Sequence, residues 1–289
     1  MNWLILSLLS ALSESAKDIF GKLGSVKTDE YSAAVALHLA TLVFTLPVVF
    51  FTGIPDLKPG FWSGNLGFLF ITPAWSLLYT KALKLSPLST TLPMMAFNPV
   101  FTALLSFAFK GETPDSSGWI GIGLISAGVY FINLNLKAAK HKLFSPLVDL
   151  IQNRGALYML GVAFLWSLGA HFSKLRVDGS NPILSTLSSG IIGVTTTYLI
   201  AVIVKKRVQL KVFLSHSKHL APIGIFYYLA TLLSSFALQN GSASYVFAVK
   251  RSSLVFGPIG GKFIFKEEVS KSKYLGLVFI ALGILAISL

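Results

Sequence analysis

The sequence contains no cysteine, so disulfides, thiolate metal sites and cysteine nucleophiles are excluded together. Charge is also scarce: Asp, Glu, Lys and Arg make up 12% of the 289 residues, about half the usual share in a soluble domain. The five histidines, His38, His141, His171, His216 and His219, are scattered with no metal-ligand spacing. No HExxH, GxSxG or paired-aspartate motif occurs, and no GxxxxGKS or GxxxxGKT loop is present to cradle ATP. These absences point away from an enzyme, a metalloprotein and an ATP-driven pump, and they require no cofactor. No cleavable signal peptide is expected, because the first apolar run carries Glu14, Lys17 and Asp18 and does not end in a small-residue cleavage site.

What is present is mostly apolar. Hydrophobic residues form 54% of the chain, and windows of about 20 apolar residues recur along it, the pattern of a polytopic α-helical membrane protein. A β-barrel would instead alternate in units of about ten residues. Ten spans are expected: Asn2–Leu23, Tyr31–Thr52, Phe61–Leu83, Leu88–Phe109, Ser117–Leu136, Gly155–Arg176, Pro182–Val204, His219–Gln239, Ser242–Phe265 and Lys273–Leu289. The formal net charge of +13 would suggest nucleic acid in a soluble protein. Here most Lys and Arg fall at helix ends and in loops, where they read as topology signals beside anionic lipid, so the lipid bilayer and not nucleic acid is the expected surroundings.

The chain repeats itself. At an offset of 155 residues Glu112 meets Glu267, Gly121 meets Gly276, Gly128 meets Gly283 and Ala82-Leu83 meets Ala237-Leu238. The first helix of each half aligns at an offset of 152, which puts Phe20-Gly-Lys22 on Phe172-Ser-Lys174. A first five-helix repeat at 1–136, a connection at 137–154 and a second repeat at 155–289 follow. Five helices is an odd number, so the second copy enters the membrane from the opposite side. The expected fold class is therefore an all-α polytopic membrane protein with ten transmembrane helices as two inverted five-helix repeats.

The ten-span layout, the Phe109-Lys-Gly-Glu112 and Phe265-Lys-Glu-Glu268 motifs and the paired glycines at 121/128 and 276/283 resemble the EamA-type transporters of the drug/metabolite transporter superfamily. The likeness runs over essentially the whole chain. It implies transport of small metabolites without fixing the cargo. Val249-Lys250-Arg251 is also similar to the Lys-Arg pair on the ninth helix of plastid sugar-phosphate translocators. The first helix carries Glu14 where its partner helix has Trp166, the aromatic common in the family, so the two half-sites should differ in charge.

Lys250 and Arg251 lie inside an apolar run that extends from Tyr245 towards Glu268. A cation near mid-membrane costs roughly 2.5–3.5 kcal/mol on insertion scales, so it needs a partner or a wet cavity. Arg251 suits bidentate contact with a carboxylate or phosphate, and Lys250 acts as a point charge. Glu14, Lys17, Asp18 and Gly21 share one face of the first helix. Either that face binds cargo or a coupling proton, or Lys17 merely neutralises Glu14 or Asp18. His38 and His171 could titrate near neutral pH or serve as interhelical donors. Lys174 and Arg176, near a helix end, are expected to snorkel. Trp75, Ser76 and Tyr79 on the third span and Tyr227, Thr231 and Ser234 on the eighth form one face each. Either they line a cavity or they pack as core. Pro93, Asn98 and Pro99 interrupt the fourth span, and Gly257, Pro258, Gly260 and Gly261 interrupt the ninth, which points to a binding site or hinge there. Tyr245 completes the candidate substrate site. Glu112, Glu267 and Glu268 read as loop residues, with Asp115 and Ser270 better placed to cap the following helices.

These features predict a secondary transporter of small polar metabolites, amino acids or small organic anions, in the cytoplasmic membrane of a prokaryote. A coupling proton or counter-substrate is a possible second partner. A sugar-phosphate or nucleotide-sugar exchanger is the alternative reading, and a channel stands behind it. Connections after odd-numbered helices carry most of the basic residues, among them Lys22, Lys81, Lys84, Lys137, Arg154, Lys205, Arg207 and Lys262, which predicts a cytoplasmic location for them and termini outside.

Overall fold

The computed structural model describes residues 2–24, 30–86, 92–111, 113–133, 153–205, 217–253, 256 and 271–288. Among the described residues the regular structure is helical throughout. Ten α-helices follow in order: α1 (Asn2–Gly24), α2 (Glu30–Thr52), α3 (Pro59–Leu85), α4 (Asn98–Lys110), α5 (Ser116–Asn133), α6 (Arg154–Asp178), α7 (Pro182–Ile203), α8 (Ser217–Asn240), α9 (Ala243–Lys250) and α10 (Lys271–Ser288), with a 3-10 helix at Leu92–Phe97 leading into α4. Four of them, over Val35–Thr52, Arg154–Asp178, Pro182–Ile203 and Ala221–Asn240, are long and apolar enough to cross a membrane. Large apolar side chains such as Phe50, Phe51, Leu199 and Ile203 are exposed on their surfaces, as a lipid-facing helix requires.

Local chemistry sets the helix ends. Short polar side chains supply the acceptors that the first backbone N–H groups of a helix lack. Asn153 Oδ1 accepts from Gly155 and Ala156 N at 2.9 and 3.2 Å, and Asn181 Oδ1 accepts from Leu184 N at 2.8 Å with Pro182 following it. At the far end of α4, Gly111 takes φ 66°, and its N–H reaches the Phe107 carbonyl. That left-handed stop suits glycine.

The chain divides into two compact units, and each draws on both halves of the sequence. One comprises Met1–Pro73 and Phe172–Gly241, the other Ala74–His171 and Ser242–Leu289. In the first unit α1 packs along α8, and α2 packs along α7 and α8. Gly60 and Gly64 on α3 bring its backbone against the end of α6: a Cβ on Gly64 would stand 2.7 Å from both the Phe172 carbonyl and the Arg176 Cγ.

In the second unit α5 lies along α10. A Cβ on Gly121 would stand 2.6 Å from the Gly283 carbonyl oxygen, and one on Gly283 would stand 2.7 Å from that of Gly121. Gly128 and Gly276 show the same reciprocity at 2.7 and 2.6 Å. Gly121 faces Gly283 while Gly128 faces Gly276, so the helices run antiparallel. Since Gly121 matches Gly276 and Gly128 matches Gly283 in the self-alignment, the two contacts are copies of one contact. Ile125 and Ile280, also 155 apart, fill the equivalent neighbouring spaces.

The fourth and ninth spans correct the expected positions of the helix breaks. Pro99 does not interrupt α4. It lies in the first turn, where its missing N–H would be unsatisfied in any case. The irregular turn comes earlier, as the 3-10 segment that contains Pro93. In the ninth span the α-helix ends at Lys250: Arg251 N bonds to Ala248 O and Ser252 N to Val249 O, at 3.1 and 2.9 Å, with the three-residue spacing of a tightened turn. Shifted by 155, Ala248–Ser252 falls on Pro93–Phe97. The expected break residues Gly257, Pro258, Gly260 and Gly261, like Glu112, Glu267, Glu268 and Ser270, lie outside the described residues.

The α5–α10 contact makes a direct prediction. Gly128→Ala places a methyl against backbone that cannot give way, and should lower stability by about 1–3 kcal/mol. Gly123→Ala, with nothing within 4 Å of its Cβ position, should be silent. Thermal unfolding of both variants in detergent checks this, and equal midpoints would contradict the packing.

Candidate functional site

In the second unit the tightened turn after α9 presents Arg251 to α4 and α6. Its Nε and Nη2 donate to Asn98 Oδ1 at 3.0 and 2.5 Å, and its guanidinium carbon lies 5.3 Å from the centre of the Trp166 ring. Asn98 is 2% exposed, and its amide is fully engaged. Nδ2 donates to Ala163 O at 3.0 Å and to Ser167 Oγ at 2.8 Å, and Ser167 Oγ donates to Asn98 O at 2.9 Å. With both amide donors directed at α6, the carbonyl end must face Arg251. Trp75 meets Trp166 edge to face at 5.6 Å, which extends the aromatic wall behind the cation. The guanidinium plane is thus set by one amide and one indole, contacts worth roughly 1.5–3 and 0.5–2 kcal/mol respectively.

In the first unit Tyr227 is the meeting point. Its hydroxyl lies 3.3 Å from His38 Nδ1, and the two rings meet at right angles 5.3 Å apart. Lys17 Nζ sits 5.9 Å from the centre of the same tyrosine ring and is ion-paired with Glu14 one turn earlier. Of the two pairings open to Lys17, the structure shows the one with Glu14. The Asp18 side chain lies outside the described residues. A carboxylate and an ammonium pair on α1, the ammonium lies over the tyrosine ring of α8, and the tyrosine hydroxyl meets the imidazole of α2.

Other expected site residues are placed differently. Lys250 extends along its own helix, with Nζ 5.8 Å from the Phe247 ring centre, so the two adjacent cations diverge as their 100° separation requires. His171 is 4% exposed and sits 2.9 Å from Thr102 O. A carbonyl only accepts, so Nε2 carries the proton and the ring is an interhelical donor. Tyr79 packs on the apolar cluster of Ala82, Met94, Met159 and Val162. Thr231 and Ser234 donate to carbonyls of their own helix. The Ser76 side chain is outside the described residues. Lys174 bonds to Leu238 O and pairs with Asp178. Arg176 does not snorkel: it is buried, 2% exposed. The stripe of Gly60 and Gly64, which lets α3 close over it, was the available signal.

Helices long and apolar enough to cross a membrane fit an integral membrane protein, and the family match makes it one of the transporter kind. The chain belongs to the EamA-like transporter family, whose model matches residues 1–134 and 153–289. Members of that family are transporters and not enzymes. A solved crystal structure of another protein superposes with a TM-score of 0.73 over 99% of this chain and 98% of that one, at 15% identity, a likeness of fold alone. Among curated proteins none matches the sequence.

Tyr245, expected at the substrate site, ties two helix starts together. Its hydroxyl donates to Asp115 Oδ1 at 3.0 Å, and the same oxygen accepts from Gly118 N at 2.7 Å as the cap of α5. The Gly118 N–H first, then the Tyr245 and Ser117 hydroxyls, hold the exposed Asp115 carboxyl below its ordinary 3.8. A carboxyl depressed on folding stabilises the fold above its ordinary value and loses that contribution as pH falls through the lower, folded one. Acidification past 3.8 should therefore lower the thermal midpoint of the parent more than that of Asp115→Asn. Parallel acid profiles would show that the carboxylate contributes nothing.

Proposed function

We propose that the chain is a secondary transporter of small polar metabolites bearing an anionic group, such as amino acids or organic acids, and that it works by alternating access of two inverted repeats. The observation that carries this reading is Arg251, a partly buried cation at the point where α9 leaves α-helical geometry, with its guanidinium plane set by Asn98 and Trp166. A pre-oriented fork favours the two oxygens of a carboxylate or phosphate group, and broken helices in paired positions are where such transporters place their sites. The repeat reading is supported by the 155-residue self-match and by the reciprocal glycine contacts of α5 and α10. The Glu14–Lys17–Tyr227–His38 chain supplies a proton site for coupling, because protonation of Glu14 would release Lys17 and so change what Tyr227 faces. The membrane is the cytoplasmic one of a prokaryote, with both termini outside.

Thermal-shift screening of the purified protein against amino acids, organic acids, nucleotides and sugar phosphates identifies the cargo, since a ligand that binds only the folded state raises the midpoint. With that cargo, Arg251→Gln should weaken binding tenfold or more, about 1.4 kcal/mol, while the protein stays monodisperse. Lys250→Gln, which removes a cation pointing elsewhere, should weaken it less, and Glu14→Gln should flatten the pH dependence of uptake. An Arg251→Gln protein that binds and counter-flows like the parent would move the site elsewhere. The lack of native cysteine permits an orientation test. Single cysteines at Ser145 and Ser217 should resist an impermeant maleimide in intact cells, and ready labelling of both would reverse the topology.

A further inference from the structure

Arg176 occupies the last turn of α6, where a cation is favourable to the helix dipole, but its side chain turns inward between α3 and α7. The Phe68 ring centre lies 4.3 Å from its guanidinium carbon, and Gly64 leaves room for its stem. Nη2 donates to Ser173 Oγ at 3.1 Å, and Nη1 reaches Ser188 Oγ at a long 3.4 Å. Nε has no acceptor. A guanidinium has five N–H donors, so only two are engaged here, both by neutral hydroxyls. Among the described residues no carboxylate lies within ion-pair distance of Arg176. One turn from Ser188 on the same face of α7, the Ser185 hydroxyl is 1% exposed and also has no hydrogen-bond partner.

A buried charge left uncompensated costs several kcal/mol, and an unmade buried hydrogen bond costs about 1–3 kcal/mol. Ser188 Oγ already donates to Ser185 O at 2.9 Å, so the groups at fault are the cation and the Ser185 hydroxyl, and a negatively charged acceptor answers both at once. Amide or water oxygens would satisfy the donors but leave the charge. Chloride, or the carboxylate end of an organic molecule, satisfies both requirements.

We infer that Arg176, with Ser188 and Ser185 of α7, forms a binding site for a small monovalent anion. The site uses none of the residues assigned to the cargo above. It therefore adds an anion dependence that does not require Arg251.

Thermal unfolding of the full chain in nanodiscs tests this, at constant ionic strength, with sodium isethionate, whose anion is a bulky sulfonate without a carboxylate, replaced stepwise by sodium chloride or sodium acetate. The parent and Arg251→Gln should both show a saturable rise of several degrees with chloride, acetate or both, and Arg176→Gln should show none. A rise with chloride identifies an inorganic ion as sufficient, and a rise with acetate alone identifies a carboxylate group. If Arg176→Gln does not fold, Ser188→Ala and Ser185→Ala, which keep the cation, carry the test: each should move the half-saturating concentration up several-fold. No rise in the parent, an equal rise in Arg176→Gln, or an unchanged midpoint concentration in both serine variants would overturn the site. Loss of the rise in Arg251→Gln alone would place the anion on Arg251 and equally overturn it.

Discussion

A guanidinium held among apolar helices is costly unless its charge is oriented and its donors are used, and the Arg251–Asn98 contact answers that demand in the second unit. The 3-10 segment before α4 leaves Asn98 at the start of a helix, where its amide can reach across to Ala163 and Ser167 of α6. The tightened turn after α9 brings Arg251 to the amide oxygen that remains. Each irregular turn thus exposes a group that the other needs, and Trp166 closes the face of the cation.

The same physics acts differently in the first unit. Glu14 stands at the position that aligns with Trp166, and it meets a lysine where Trp166 meets an arginine. An aromatic face orients a cation without neutralising it, whereas a carboxylate neutralises it. Two aligned positions therefore have unlike electrostatics: one leaves its cation charged, the other pairs it with a carboxylate.

Much of this was legible in the sequence because it depends on length and register. Apolar windows marked the helices, and Gly121, Gly128, Gly276 and Gly283 marked the repeat, though not that they would meet across α5 and α10, where only residues without side chains permit so close an approach. The family resemblance rested on the same positions. What the sequence could not supply was direction. Helical spacing places Lys17 equally well beside Glu14 and Asp18, and Thr231 and Ser234 satisfy their own helix as readily as they would line a cavity. Pro93 and Pro99 announced a break but not on which side of Asn98 it falls, because proline in a first helical turn and proline before one are both comfortable. Arg176 looked exposed because its position at a helix end permits snorkelling, and only the close approach of α3 at Gly64 prevents it.

The central claim is that Asn98 serves cargo binding through Arg251, and a double-mutant cycle on cargo affinity tests it most directly. Asn98→Ala, Arg251→Gln and the double variant would be titrated with one identified cargo in detergent. If Asn98 acts by orienting the guanidinium, the double variant binds no more weakly than Arg251→Gln alone, and the coupling energy equals the whole effect of Asn98→Ala. If the two losses add, Asn98 and Arg251 act separately, and the account of a cation held for its cargo by the facing helix break is wrong.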